Sequence, residues 1–159
     1  MTLNPTQLGS DFAGVFSSFP ASPRDCADAL ADAFHAYCSA AVFGASTPQI
    51  PSANRDAFAD AIYAAIANPA AGLPAVISAA FAAATAAYWL AVPVVGAQSG
   101  VTVGCPGAAS LPATLAVIFA NLANTPTSAG ASIALALHAA VMTVTASVAP
   151  PPGTVLPIA

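Results

Sequence analysis

Three acidic or histidine side chains share a spacing that could support chemistry. Asp28, Asp32 and His35 fall at positions i, i+4 and i+7, so a helix would place them on one face. Carboxylates and imidazole on one face could bind a metal ion. Asp25 lies in the same first turn, however, where acids interact favourably with a helix N-terminus. We therefore interpret this face as the solvated surface of the protein, with no bound metal.

The two histidines of the chain, His35 and His138, occupy equivalent places in an internal repeat, where the second copy has Ala82. Two histidines related by a repeat could meet and bind a metal through their neutral imidazoles. The simpler interpretation is that each is a helix residue whose hydrogen bonds are satisfied within the fold. We expect the second arrangement.

Sequence motifs of the common enzyme classes are missing. There is no glycine-rich phosphate loop ending in Lys-Ser/Thr, no Gly-x-Ser-x-Gly elbow and no His-Glu-x-x-His. Residues 96–100 resemble an elbow only superficially, because the second glycine directly follows the serine. With six carboxylates in the whole chain, few pairs could act as acid and base. We predict a protein that is not an enzyme and binds no cofactor.

The cysteines indicate neither a disulfide framework nor a zinc site. Cys26, Cys38 and Cys105 are odd in number and contain no C-x-x-C pair. Cys26 and Cys38 lie on one predicted helix, about 18 Å apart, which is too far for a disulfide. We expect buried small apolar side chains, and any disulfide would involve Cys105 or another chain.

Charge is unusually scarce. Charged residues make up 5% of the chain, against roughly 25% in ordinary soluble domains, whereas hydrophobic residues reach 58%. Arg24 and Arg55 are the only strong cations and the net charge is -4, which excludes a nucleic-acid-binding protein because phosphates require several Lys or Arg. The first residues lack a basic segment followed by an apolar run, so we expect no signal peptide.

An internal repeat organises the chain. Residues 15–42, 62–89 and 118–145 align without gaps, with large apolar side chains at helical spacings. Each copy is interrupted by a polar residue and a proline, which is typical of a helix start. The sequence predicts an all-α fold in which three antiparallel helical hairpins form one domain over residues 1–148. The predicted helices cover residues 8–18, 23–42, 53–68, 72–91, 111–124 and 126–142.

The remaining segments favour extended structure. Residues 101–103 and 143–148 alternate as short strands do, and the prolines after residue 149 impose an extended path. We interpret residues 149–159 as an arm that lies on a neighbouring chain by strand addition, the alternative being a frayed terminus. The residues predicted to contact another chain are Val155, Leu156, Ile158, Val101 and Val103.

One stretch of the chain could suit a membrane. Residues 73–92 contain no charge and are numerous enough to cross a bilayer. The equivalent residues 23–42 of the first copy, however, contain several charges that are costly in lipid, and three related hairpins should share one solvent. We therefore favour a subunit covered by other protein chains. A small integral membrane protein with a spanning helix at 73–92 is the alternative, and a module that binds a small apolar ligand is a third possibility.

Residues 103–110 and 147–154, together with the alanine-rich hairpins, carry a family resemblance. In these features the chain resembles the small structural proteins of tailed-bacteriophage virions from high-GC hosts. The resemblance extends over the whole chain in its general character and involves no specific motif match. It implies a non-enzymatic head, neck or tail component located in the virion, with copies of itself and other virion proteins as partners. Outside that family the same features predict a cytoplasmic assembly.

Overall fold

The computed structural model describes residues 3–68, 74–149 and 154–159, which form six α-helices, one short 3₁₀ helix and five strands. The α-helices are α1 (Pro5–Ser18), α2 (Pro23–Ser39), α3 (Ser52–Ile66), α4 (Pro74–Tyr88), α5 (Leu111–Ala120) and α6 (Pro126–Val141). The strands are β1 (Ser46–Pro48), β2 (Pro93–Gly96), β3 (Ser99–Gly104), β4 (Thr145–Ala149) and β5 (Thr154–Pro157), and the 3₁₀ helix covers Pro106–Ser110.

The six predicted helices are present, and side-chain caps explain where several of them begin. The Asn4 side chain accepts hydrogen bonds from the first turn of α1, and the Ser22 side chain accepts one from the Asp25 amide at the start of α2. Thr125 and Ser128 form a reciprocal capping box at the start of α6. Because a cap satisfies amides that have no partner inside the helix, Asn4 fixes the start of α1, and Ser22 and Thr125 fix the joints that lead into α2 and α6.

The helices form a closed ring. Each helix packs against the next one in the chain, and α6 closes the ring by packing against α1 over the largest helix–helix contact of the bundle. Glycine makes this closure possible. A Cβ atom on Gly130 would lie 2.6 Å from the carbonyl oxygen of Gly9 and 2.7 Å from the amide nitrogen of Ala13. The backbones of α1 and α6 are therefore closer than any side chain at that position would allow.

The prediction of an all-α fold is wrong, because the described residues also form a five-stranded antiparallel sheet, curled into a half-barrel, with strand order β1-β2-β3-β4-β5. The strands come from the segments that follow α2, α4 and α6, so the sheet lies at the end of the bundle opposite the hairpin joints. Each strand has only three to six residues, and several pairs join distant parts of the chain, as Thr47 and Val95 do. Strands this short that pair over long separations show little local periodicity in the sequence, so the sequence did not predict the sheet.

The C-terminal segment predicted to lie on a neighbouring chain is a strand of this sheet. In β5, Leu156 pairs with Ala146 and Val155 pairs with Ser147 of β4. The last residue, Ala159, exchanges backbone hydrogen bonds of 3.1 and 2.9 Å with Val42. Strand addition therefore takes place within the chain itself. Residues 150–153, which belong to the predicted arm, lie outside the described residues.

The core lies between the helix ring and the inner face of the sheet. Trp89 and Phe43 are fully buried there and meet edge to face. The Thr102 hydroxyl of β3 donates to the Trp89 carbonyl and accepts from the Val92 amide, which fixes the sheet to the end of α4. The uncharged stretch 73–92 therefore does not continue as one helix, since α4 ends at Tyr88. No helix in the described part of the chain is long and apolar enough to cross a membrane.

A pair of glycine substitutions tests the closure of the ring. We expect Gly130→Ala to lower the free energy of unfolding by about 1–3 kcal/mol, because the added methyl group overpacks the α1–α6 contact. Gly14 is the matched control, since a Cβ atom there meets nothing within 4 Å. Gly14→Ala should stabilise the protein by up to about 1 kcal/mol through helix propensity alone. Equal effects of the two substitutions in a denaturant titration would contradict the close approach.

Candidate functional site

Charged and uncharged surfaces are segregated in this protein. All eight charged residues lie between Asp11 and Asp60, and seven of them lie between Arg24 and Asp60. Helices α4, α5 and α6 and the strands β1 to β5 contain no charged residue. The charged surface is therefore the α2–α3 side of the bundle, and the surface from α4 to the sheet is uncharged.

One half of the charged surface is organised by Arg24. Its Nε donates to the Asp28 carboxylate at 2.9 Å within α2, and its Nη1 donates to Asp60 of α3. The guanidinium also lies 5.7 Å from the centre of the Tyr63 ring, close enough for a cation–π contact. Hydrogen bonds from Arg24 lower the pKa of the Asp28 carboxyl. The ion pairs therefore connect the start of α2 with the middle of α3.

Arg55, at the start of α3, organises the other half. Its Nε donates to Asp32 at 2.7 Å and its Nη1 donates to Asp28 at 3.2 Å and to Asp56 at 3.1 Å. Asp28 is thus shared by both arginines. The predicted carboxylate–histidine face is an ion-pair network, and no group of three or more His, Cys, Asp or Glu in the described residues is arranged to hold a metal ion.

The two histidines do not meet. The His35 Nδ1 atom is hydrogen-bonded to the Tyr88 hydroxyl at 2.7 Å, and the His138 Nδ1 atom is hydrogen-bonded to the Tyr37 hydroxyl at 2.6 Å. Each bond crosses the inside of the ring, so α2 is tied to α4 and to α6. Burial lowers the pKa of His138 and raises the pKa values of Tyr37 and Tyr88. Hydrogen-bonded pairs of this kind hold the helices in position.

The cysteines are free thiols in surroundings that suppress their reactivity. Cys38 is fully buried, and the Cys105 thiol donates to the Ala140 carbonyl at 3.2 Å. Burial raises the pKa values of all three thiols, including that of Cys26. Since the thiolate is the reactive form, the arrangement does not favour a nucleophilic cysteine.

The five residues predicted to contact another chain are divided between the two faces of the sheet. Val101, Val103 and Val155 point outward, with 46%, 61% and 56% of their surface exposed. Ile158 is only 3% exposed and belongs to the core, and Leu156 is partly buried against that core. The structure therefore places the first three on one outer surface and assigns the other two to the folding of the chain itself.

The sequence reasoning missed a fourth outward valine. Val95 of β2 is 50% exposed, whereas its neighbour Val94 is 1% exposed. This is the alternation of burial in a strand with one covered face, but the sequence Pro-Val-Val-Gly of residues 93–96 shows no alternation of polar and apolar residues. The segment is short and begins with a proline, so it reads as a loop.

The outer face of the sheet, defined here by Val95, Val101, Val103, Ser147 and Val155, has an unusual composition. Val101 pairs with Ser147, and Ser147 pairs with Val155, so the three form one row across β3, β4 and β5. An antiparallel sheet with one solvated face normally carries polar side chains on that face. This face carries four exposed valines and no charge, together with the uncharged polar side chains of Thr47, which pairs with Val95, of Ser99 and of Ser147.

Exposed apolar side chains are concentrated on the uncharged surface. Among the described residues, ten of the eleven exposed large hydrophobics follow Asp60 in the chain, Phe19 being the exception. Away from the sheet the most exposed of them are Leu122 at 98%, Val117 at 72% and Leu90 at 66%. Scattered exposed apolar residues are normal, but nine of these eleven, all except Phe19 and Tyr63, belong to the part of the chain after residue 66, which contains no charged residue.

Comparisons of the chain with protein-family models, with curated proteins and with solved structures found no match. The surfaces of the molecule therefore provide the basis for inferring its function.

The half-buried His138 predicts a pH dependence of stability. Unfolded imidazole takes up a proton near pH 6.5, whereas the folded protein binds that proton only at lower pH because burial lowers the pKa of His138. Between these two values the unfolded state binds more protons, so the free energy of unfolding should decrease as the pH falls below about 6.5. Denaturant titrations between pH 7.5 and 5 measure the slope. In the His138→Gln variant the slope should be smaller, and an unchanged slope would contradict this assignment.

Proposed function

We propose that this protein is a non-enzymatic structural subunit of a large symmetric assembly, in which neighbouring chains cover its uncharged surface. The observation that carries the proposal is the segregation of charge. One side holds the ion-pair network of α2 and α3, while the surface from α4 to the sheet exposes large apolar side chains and no charge.

The energetics of the two surfaces support this orientation. Covering a charged side chain requires removal of its water, which costs several kcal/mol unless the charge is well paired. Covering an apolar side chain stabilises the complex by roughly 25 cal/mol per Å². The carboxylates of Asp32 and Asp60 remain 68% and 69% exposed even within the ion-pair network. The α2–α3 side is therefore the side that faces water, and the uncharged side is the one that gains from contact with protein.

Symmetry accounts for the low charge of the whole chain. A free monomer depends on surface charge to remain dispersed, whereas a subunit of a closed ring or shell exposes only part of its surface. Permanent interfaces resemble a domain core cut in half, and an exposed residue such as Leu122, at 98%, suits such a place. The Ala-rich helices add area that packs closely without charge.

The assembly that we propose is a tailed-bacteriophage virion, in which the protein would be a head, neck or tail component. The support for this choice is the resemblance over residues 103–110 and 147–154 noted above. In the fold, the first of these segments contains the end of β3 and the 3₁₀ helix, and the second contains the end of β4. The described residues of both segments belong to the uncharged sheet or adjoin it, where the proposed neighbouring chains would pack.

The membrane alternative has no observation in its favour. Its candidate span, residues 73–92, contains the fifteen-residue α4 and then turns into the sheet. We therefore propose no second function.

The mass of the protein in solution tests the proposal. Light scattering behind size-exclusion chromatography, without detergent, should show a discrete oligomer at micromolar concentration. The mass should persist from about 0.1 to 1 M salt, because salt screens ion pairs but strengthens apolar burial. A monomer at all concentrations would refute the proposal. Recovery only from a detergent-extracted membrane fraction would favour the integral membrane protein instead.

A further inference from the structure

Two tyrosine–histidine hydrogen bonds cross the inside of the helix ring, and we propose that together they form an acid-sensitive release for α2. His35 of α2 is bonded to Tyr88 of α4 at 2.7 Å, and Tyr37 of α2 is bonded to His138 of α6 at 2.6 Å. Helix α2 thus supplies one member of each pair. The inference concerns the conformation of the single chain and does not depend on the proposed assembly.

The two bonds join helices that are not neighbours in the ring. Helix α2 packs along α1 and α3, whereas α4 and α6 lie across the interior from it. Phe34 of α2 also packs edge to face on Tyr88, with 5.1 Å between the ring centres. Because this apolar contact does not depend on pH, loss of the hydrogen bonds would loosen α2 without unfolding the chain.

The burial of both hydroxyls determines which partner donates. A tyrosine hydroxyl carries one hydrogen, and a neutral imidazole has one N–H and one nitrogen that accepts. Tyr37 and Tyr88 are only 6% and 2% exposed, and within the described residues neither hydroxyl has a second hydrogen-bond partner. If the imidazoles donated, both hydroxyl hydrogens would be buried without an acceptor, which is costly. The tyrosines therefore donate to Nδ1, and the ring proton of each histidine lies on Nε2.

Acid removes the acceptor from both bonds. A protonated imidazole carries hydrogen on both nitrogens, so Nδ1 can no longer accept from the tyrosine. Both histidines are half-buried, and protons from solvent can therefore reach them. Burial lowers the pKa of His138, so this bond is intact near neutral pH and is lost as the pH falls below about 6.5. The state in which the bonds are broken binds protons more readily, and acid favours it.

The outer side of α2 does not respond at the same pH. Asp28 accepts hydrogen bonds from both Arg24 and Arg55, and the bonds from Arg24 hold the pKa of Asp28 below its ordinary value. Since an ordinary aspartate titrates near pH 3.9, this carboxylate remains ionised at pH 5. The release is therefore one-sided, because α2 stays on α3 while its bonds to α4 and α6 are lost.

The other titratable groups near these helices have partners or surroundings of their own. Helices α4, α5 and α6 and the 3₁₀ helix contain no charged residue. Cys38 lies near both tyrosines, and its burial raises the pKa of the thiol well above the ordinary value, so it stays neutral. The remaining groups are bonded elsewhere: Asp11 of α1 to Gln7, Asp32 and Asp56 to Arg55, Asp60 to Arg24, and the Cys105 thiol to the Ala140 carbonyl.

Hydrogen exchange measured by NMR tests the release in the unmodified protein. Between pH 7.5 and 5, after correction for the intrinsic pH dependence of exchange, protection of the α2 amides should fall at least tenfold more than protection of the α5 amides, because two hydrogen bonds of α2 are lost. Equal changes in the two helices would overturn the proposal, since acid would then act on the whole fold. Full protection of α2 at pH 5 would also overturn it. So would proton–nitrogen correlation spectra showing the ring proton on Nδ1 of either histidine at pH 7.5.

Substitutions separate the hydrogen bonds from the packing of the rings. The double variant Tyr37→Phe/Tyr88→Phe keeps both rings and should show the low α2 protection already at pH 7.5. Asparagine has an oxygen near the place of Nδ1 and does not titrate, so His35→Asn/His138→Asn should keep α2 protected at pH 5. Tyr63→Phe is the matched control, because Tyr63 is 39% exposed on α3, and it should behave as wild type. A phenylalanine double variant that retains the acid response of the wild type would show that these bonds are not the release.

Discussion

The fold depends on the close contact between its first and last helices. Gly9 and Gly130 let the backbones of α1 and α6 approach without intervening side chains, and this contact converts three hairpins into a closed ring. Once the ring is closed, the segments that leave α2, α4 and α6 lie at one end of it. The chain end can then pair with Val42, although the two are far apart in sequence. The sheet is therefore a consequence of helix packing, and its register depends on that packing.

The helices could be predicted from the sequence because their signals are local. The starts of α2 and α6 are marked in the sequence by a hydroxyl residue followed by proline, at Ser22-Pro23 and Thr125-Pro126. In the structure both hydroxyl side chains cap the helix that follows. The sheet could not be predicted in the same way. β1 has three residues, and its partner β2 lies more than forty residues away. Neither segment is long enough for its sequence pattern to predict a strand in preference to a loop. Alternation did indicate β3 and β4, but single short strands do not predict a sheet.

The candidate surface was predictable only in part, for a similar reason. The scarcity of charge is visible in the composition, yet the ion-pair partners are not. Arg24 and Asp60 are 36 positions apart in the sequence, and no rule of helical or strand spacing predicts a contact over that separation. Val101, Val103 and Val155 were identified because apolar residues in extended segments indicate contact. Which of the tail residues point inward depends on register, and a shift of one residue exchanges the two faces of a strand. Leu156 and Ile158 are on the inner side for that reason.

The prolines at the two sheet edges have a consequence for how such a protein can be produced in many copies. Short, uncharged segments of high β-propensity are the usual starting points of cross-β aggregation, and β3 and β4 are of this type. Wherever many copies of a chain accumulate together, unprotected strand edges would favour open-ended fibrils. Pro48 and Pro157 terminate the edge strands, and charge, the other common protection, is missing there. Replacing these prolines would thus lower the solubility of the chain during expression more than the stability of its folded state.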